Sequence, residues 1–474
     1  MRSYTSQYID GHWVTSEGGR PHQVINPATE QPVTEITLGS AADVDRAVAA
    51  ARRAFATFSR TSVDERVALL EAILAEYKNR IGDLAEAMAL EMGCPISIAR
   101  TAQAGSGIGH LMAAIAALKD FAFEERINNS LVVHEPIGVV ALITPWNWPM
   151  NQILAKVAPA LAAGNAMILK PSEEAPGCAA IFAEILDKAG VPAGVFNLIQ
   201  GDGPGVGTAL SAHPGIDMVS FTGSTRAGIA VAKAAADTVK RVHQELGGKA
   251  PSLVLEGADI AAAVKGTLMS VLLNSGQSCI APTRLIVPAD QQEAAVAIAR
   301  AMMEATATGD PMAEGRHIGP LVNRAQWEKV QGLIQKGIDE GATLEAGGPG
   351  LPDNTNAGFY VRPTLFSNVT NDMTIAREEI FGPVVTILPV ADEEEAVRVA
   401  NDTVYGLSSV VFGSAEAVQR VAPQLRTGMV YVNGGQPDPM VPFGGYKQSG
   451  NGREYGKYGL AEFMEVKSML GFYA

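Results

Sequence analysis

Residues 139–174 read VVALITPWNWPMNQILAKVAPALAAGNAMILKPSEE. Two short apolar runs, 139–143 and 166–169, flank a stretch of helical length. Neither run alternates apolar with polar residues, so each reads as a strand buried on both faces. The pattern continues outward. Runs at 195–199 and 218–221 follow, with a helix-like stretch at 181–189 between them. It resumes at 253–255, 285–287, 384–388, 410–412 and 430–432. Strand alternating with helix predicts parallel sheets covered on both faces. Two α/β units, meeting near residue 250, account for the series.

Upstream, 40–58 has a helical period: Val44, Ala47, Val48, Ala51 and Phe55 recur, with Ser40 placed to cap the start. Ser62-Val63-Asp64-Glu65 has capping-box spacing before Val67, Leu70, Leu74, Tyr77 and Ile81. Residues 345–363, rich in Gly and Pro, read as a long surface loop. The 474 residues are 47% apolar and 18% charged, the balance of a folded globular chain. A net charge of −14 argues against a broad nucleic-acid or anionic-membrane surface. Three cysteines, Cys94, Cys178 and Cys279, are too few for a disulfide framework and point to a reducing, cytoplasmic setting. The seven histidines show no i, i+4 pair, so no protein metal site is expected. Residues 1–7 lack the apolar core of a signal peptide, and no apolar run has the length of a membrane span.

Candidate chemistry starts with Cys279, since a thiolate is the strongest side-chain nucleophile near neutral pH. It ends Asn274-Ser275-Gly276-Gln277-Ser278-Cys279, where Gly276 and Ser278 leave room for a substrate. Cys94 and Cys178 fit small core residues better. Glu245, in Glu245-Leu246-Gly247-Gly248-Lys249, is a candidate base if partly buried. Asn147, in Thr144-Pro145-Trp146-Asn147-Trp148-Pro149, is a candidate oxyanion donor on a stiff loop. Taken singly, each has a structural alternative: a small buried residue, a surface carboxylate ending a helix before a glycine cap, and a rigid turn. Three further segments suit a nucleotide. Phe221-Thr222-Gly223-Ser224-Thr225 follows a strand and opens a helix at 227–236, an anion-binding arrangement. Residues 201–207 form a second Gly-rich turn, only loosely like a dinucleotide fingerprint. Lys170-Pro171-Ser172-Glu173 follows a strand end, where ligands bind in open α/β sheets. Each also reads as a plain strand-to-helix turn.

Their joint order decides. Along almost the whole chain the sequence resembles the aldehyde dehydrogenase superfamily. The motifs run in family order: 144–149, 170–173, 221–225, 245–249 and 276–279. Glu379-Ile380-Phe381-Gly382-Pro383 follows, then Pro442-Phe443-Gly444-Gly445-Tyr446-Lys447 with Ser449-Gly450. The resemblance implies that Cys279 attacks the aldehyde carbon and that Asn147 and the Cys279 N–H hold the oxyanion. Hydride then leaves to the nicotinamide, and Glu245 activates water against the thioester. It implies that Glu379 and Phe381 meet the nicotinamide ribose and ring, and Gly223 and Ser224 the pyrophosphate. Trp146, Lys170, Glu173 and Gly203 match cofactor-cleft positions. Lys156 and Glu454 match a proton-relay pair, and Trp148, Gln152 and Phe443 match the substrate tunnel.

The fold implied is α/β: a Rossmann-like NAD(P) domain (1–119 and 137–247), an α/β catalytic domain (248–462) and a small β oligomerisation flap (120–136 and 463–474). Residues 465–470 read as an edge strand, which invites pairing with another chain. A homodimer or homotetramer is expected. Glu173 favours NAD, since a carboxylate accepts ribose hydroxyls and repels a 2′-phosphate, while Ser172 leaves NADP open. Glu245 favours the free acid over an acyl-CoA product. The partner expected is a small-molecule aldehyde, neither nucleic acid nor membrane. Trp148 and Phe443 suggest broad-range aliphatic or aromatic aldehydes. The alternatives are a semialdehyde-specific dehydrogenase and, from another class, a cysteine esterase.

Overall fold

The computed structural model describes residues 1–473. The chain is mixed α/β. The centre of its largest sheet runs parallel in the order Arg241–Glu245, Met218–Thr222, Val139–Ile143, Ala166–Lys170, Phe196–Leu198. Antiparallel strands close both edges: Gly450–Asn451 on one side, the hairpin Ser6–Ile9 and His12–Thr15 on the other. All residues of Val139–Ile143 and Ala166–Lys170 are buried, as their unbroken apolar runs require. From Val139–Ile143 the chain winds one way to Ala166–Lys170 and Phe196–Leu198, then returns to fill the other side. That reversal creates a switch point, where side chains after the strand ends are open to a ligand. Residues 144–149 and 222–225 lie there.

The second sheet has the order Thr343–Ala346, Thr364–Ser367, Val384–Val390, Arg284–Pro288, Pro251–Val254, Ser408–Phe412, Met429–Val432. Only the edge strand Thr343–Ala346 is antiparallel. A three-stranded antiparallel sheet joins Met464–Met469, Ser130–Pro136 and Glu124–Ile127. Its outer strand Met464–Met469 has an unpaired edge and an exposed Val466.

The helices follow their local signals. Ala41–Phe58 starts at Ser40 and Val63–Asn79 at Ser62, each with a complete capping box. Pro149–Ala163 begins with proline at its first turn, where a missing N–H costs nothing, and stops at left-handed Gly164. It is buried on nearly every side and carries Gln152 and Lys156 inward.

Four features depart from the sequence reading. The first 38 residues hold further strands, Arg2–Tyr4, Arg20–Ile25 and Pro32–Leu38, that the apolar pattern does not announce. Arg241–Glu245 is an interior strand despite its polar sequence, because His243, Gln244 and Glu245 are buried against polar neighbours. The stretch 345–363 begins inside an edge strand, and Phe359, Tyr360 and Val361 are buried. Finally, the chain returns to the first unit after the second sheet: Gly450–Asn451 joins its sheet, and Gly456–Glu462 packs on Ala104–Asp120 and Pro149–Ala163. Among the described residues, no helix is long and apolar enough to cross a membrane, and no His/Cys/Asp/Glu group is arranged to hold a metal.

Candidate active site

The switch-point crevice opens toward the second sheet, and one cavity there is lined by Asn147, Cys279, Ser224, Gly247, Glu379 and Phe381. Trp146, Gln152 and Gly223 also border it. Motifs spread over more than half the chain therefore share one wall.

The loop that ends in Cys279 follows the helix Ile260–Leu272. Its backbone turns through the left-handed region at Ser275 (φ 54) and Gly276 (φ 76). A Cβ on Gly276 would lie 1.9 Å from the Gly382 carbonyl oxygen, so this position admits glycine alone. Amides lock the loop to residues 144–149. Asn274 Nδ2 donates to the carbonyls of Asn147 (2.9 Å) and Gln277 (3.1 Å), and Asn147 Nδ2 donates to Gln277 O (3.1 Å). Gln103 Nε2 also donates to the Asn147 carbonyl, at 3.1 Å. A carboxamide has two N–H donors, so Asn147 keeps one for the cavity. Trp148 Nε1 donates to Ser278 Oγ at 2.6 Å, which turns the indole against the loop.

The charges oppose ionisation of the thiol. Cys279 is held well above the ordinary thiol range by burial, then by the carboxylates of Glu379 and Glu245. Glu245 ends the strand Arg241–Glu245, not a helix, and is 2% exposed. Its Oε2 has no hydrogen-bond partner among the described residues, and Oε1 lies 3.4 Å from His243 Nε2. Burial and the charge of Glu454 raise its pKa well above the carboxylate range, opposed by Lys156 and Arg453. Burial lowers the His243 pKa well below the usual value, so the ring is neutral, with Nδ1 at 3.1 Å from Ser220 Oγ. Behind Glu245, Lys156 Nζ donates to Glu454 Oε1 at 2.5 Å, with both side chains almost fully buried. Neither charge there is a solvated surface group, and removing one would strand the other in a dry interior.

The other side of the cavity suits a dinucleotide. Ser224 caps the helix Thr225–Ala235 by accepting from Ala227 N–H, so the helix start faces the crevice. Thr222 Oγ1, also on this wall, is buried without a partner among the described residues. Glu379 Oε1 accepts from Gly248 N–H at 2.9 Å, and a Cβ on Gly247 would come within 2.7 Å of Glu379 Oε2. Lys329 Nζ donates to the Glu379 carbonyl at 2.6 Å. Phe381, at φ 65, meets Trp146 edge-on with centroids 5.5 Å apart. After the strand Ala166–Lys170, Lys170 Nζ donates to the carbonyls of Pro171 (2.7 Å) and Gly201 (2.6 Å) and lies 3.5 Å from Glu173 Oε2. Gly203 opens onto free space. This donor set, with one carboxylate at each end, fits a nicotinamide dinucleotide.

The three tunnel candidates separate. Gln152 borders the Cys279 cavity, Trp148 packs on the nucleophile loop, and Phe443 lines a second cavity with Tyr431 and Tyr455. The sequence reading missed Lys329, Asn274, Gln103, His243, Tyr431 and Tyr455. Tyr455 directly follows Glu454, which is the one positional signal available for it.

The model of the aldehyde dehydrogenase family matches residues 13–469. The chain is 53% identical, over 100% of its length and 99% of the relative's, to a 3-succinoylsemialdehyde-pyridine dehydrogenase of a Pseudomonas species. It is similar to aldehyde dehydrogenase C of Pseudomonas syringae, a cysteine-to-alanine mutant crystallised with NAD+ and octanal. There the TM-score is 0.97 at 50% identity, covering 99% of this chain and 97% of that one. An NAD+ complex of an aldehyde dehydrogenase from Bacillus cereus gives a TM-score of 0.95 at 36% identity, covering 98% and 96%.

Proposed function

The chain belongs to the aldehyde dehydrogenase family, and from that premise we propose that it oxidises an aldehyde to the free carboxylic acid with NAD and water. The meeting of Cys279 and Asn147 on one crevice, with Glu245 buried directly before Leu246 and Gly247 of its wall, carries this reading. The Cys279 thiolate adds to the aldehyde carbon, and the carbonyl π pair moves onto oxygen. That oxygen takes the spare Asn147 N–H and the Cys279 backbone N–H. Bound NAD supplies the acceptor for the hydride that leaves the tetrahedral carbon. Cys279 is then a thioester. Glu245 takes a proton from water, the water oxygen bonds to the acyl carbon, and the C–S bond breaks to return the thiolate. Glu379 and Phe381 would hold the nicotinamide half of the cofactor and Gly223 and Ser224 the pyrophosphate, with Trp146, Lys170, Glu173 and Gly203 lining the rest of the cofactor cleft. The buried Lys156–Glu454 pair is read as a route for protons behind Glu245.

Supporting the substrate reading, the second cavity is lined largely by apolar and aromatic residues, Tyr431, Val441, Phe443 and Tyr455 among them, which favours broad-range aliphatic and aromatic aldehydes. A semialdehyde substrate is the second reading, favoured by the 53% identical relative whose name carries one. A cysteine esterase has no use for the dinucleotide wall. Steady-state NADH formation across aliphatic, aromatic and carboxylated aldehydes separates these. Turnover without any nicotinamide would establish the esterase.

Glu173 sets the cofactor preference in this reading. With 30% of its side chain exposed beside Lys170, its carboxylate would accept ribose hydroxyls and disfavour a phosphate there. Glu173→Gln is expected to raise kcat/KM for NADP relative to NAD by roughly tenfold, the scale of one relieved charge repulsion. An unchanged ratio would place the discrimination elsewhere.

We divide the chain into a cofactor unit (1–119 and 137–247), a catalytic unit (248–462) and a flap (120–136 and 463–474), noting that 450–462 packs on the first. The open edge of Met464–Met469 supports a homodimer or homotetramer. Sedimentation equilibrium of the purified chain is expected to give two or four times the chain mass, and a monomer would remove the flap's assigned role. The three free cysteines support a reducing, cytoplasmic setting.

A further inference from the structure

Tyr455 separates two cavities. On one side is the space of about 430 Å3 that it shares with Tyr431 and Phe443. On the other is a narrow internal gap bordered by His110, Leu154 and Leu460. Its backbone sits at φ 72, ψ 149, a region that side-chain-bearing residues rarely occupy. The surroundings impose this. Glu454 is tied to Phe443 by reciprocal backbone hydrogen bonds of 2.9 and 2.7 Å. Gly456 follows where a Cβ would meet the Met440 carbonyl oxygen at 2.2 Å. The ring is thereby fixed against Phe443 (centroids 4.9 Å) and His110 (4.6 Å).

A directed chain of hydrogen bonds then orients the hydroxyl. His110 Nε2 lies 2.8 Å from Asn151 Oδ1, which can only accept, so the imidazole donates. Asn151 Nδ2 in turn donates to Tyr455 Oη over a long 3.5 Å. Burial lowers the His110 pKa, so the ring is neutral, with its one N–H spent on Asn151. The Tyr455 oxygen is an acceptor in this chain. Its own O–H has no acceptor among the described residues. Asn151, which holds the hydroxyl, directly precedes Gln152, and Gln152 borders the Cys279 cavity. Among the described residues, no Lys or Arg lines the shared cavity.

We propose that the free Tyr455 O–H, aimed by Asn151 and His110, is a specificity-determining donor that selects aldehydes carrying a neutral hydrogen-bond acceptor, such as a ketone, on the acyl chain. This rests on the aldehyde-oxidising reading above and deepens it. Tyr431, Phe443 and the Tyr455 ring supply an aromatic wall for the apolar remainder. Tyr455 itself touches the substrate, and Asn151 and His110 act as positioning residues.

The test compares two aldehydes of one skeleton, β-benzoylpropionaldehyde and γ-phenylbutyraldehyde, which differ by the ketone. The wild-type enzyme is expected to favour the keto compound. Tyr455→Phe keeps the ring and removes the donor. It is expected to lower kcat/KM for the keto aldehyde about tenfold, mostly through KM, and to leave the other within about twofold. Asn151→Leu is expected to reproduce the same selective loss, since it releases the aim of the hydroxyl. An equal loss on both aldehydes would make Tyr455 a merely structural residue. No loss on either, or no wild-type preference, would equally overturn the inference while leaving aldehyde oxidation intact. Failure of the wild type to oxidise any aldehyde would defeat the underlying reading, and this one with it.

Discussion

Replacing Cys279 with alanine is expected to lower NADH formation by at least about 10^4-fold while leaving NAD affinity within about twofold. The reaction needs an atom that bonds to the aldehyde carbon and later leaves it, and alanine offers none. Nothing else in the crevice substitutes for it. Cys94 and Cys178 are buried in the core beside helices, with their thiols held up by burial. Neither borders the cavity. Cofactor affinity is expected to survive because its wall is built independently of the sulfur: Glu379 is held by Gly248 N–H, and Ser224 is fixed by its own helix. The loop keeps its course as well, since it is pinned by Asn274, Asn147 and Gly276, not by the thiol. Steady-state absorbance assays give the first quantity and titration of cofactor binding the second. A variant retaining more than about one per cent of wild-type turnover would remove Cys279 from the chemistry. Lost cofactor binding would show instead that the sulfur shapes the cleft.

Much of this arrangement was readable from the sequence, for reasons that differ by residue. The strands Val139–Ile143, Ala166–Lys170 and Met218–Thr222 are buried on both faces, so burial alone dictates an apolar run. Ser40 and Ser62 announce their helices because capping is local. Arg241–Glu245 escapes the same reading because it faces the site: His243 and Glu245 are there to meet each other, and their polarity erases the strand signature. Asn274 and Gln103 bind two loops together across long sequence separations, which no local period encodes. Lys329 lies on Arg324–Asp339, a helix whose alternating charges read as a solvated face. The motif order recovered the crevice, but only three-dimensional packing put Tyr455 between Phe443 and His110.

Glu245→Gln is expected to leave the first half of the reaction and cripple the second. The amide nearly matches the carboxyl in shape, so the strand end and its contact with His243 have no cause to move. It cannot take a proton from water, and loss of a general base costs about 10^2–10^4-fold in the step it serves. Rapid mixing of the variant with NAD and aldehyde is expected to give one NADH per active site, followed by turnover slower than wild type by that factor. The pH dependence points the same way. Burial and Glu454 raise the Glu245 pKa by disfavouring the ionised form. The protonated carboxyl, which is no base, therefore persists to higher pH than for an ordinary glutamate, and wild-type deacylation should climb with pH until the group ionises. Cys279 is shifted in the same direction by burial and by Glu379 and Glu245, so the acylation limb should climb as well. In Glu245→Gln, one of the three carboxylates opposing the thiolate is gone, while Glu379 and Glu454 remain. The rising limb of acylation should therefore move to lower pH, while that of deacylation disappears. A variant with wild-type steady-state turnover and no burst would mean that some other group activates the water. A variant whose burst is lost together with its turnover would mean that Glu245 also removes the thiol proton.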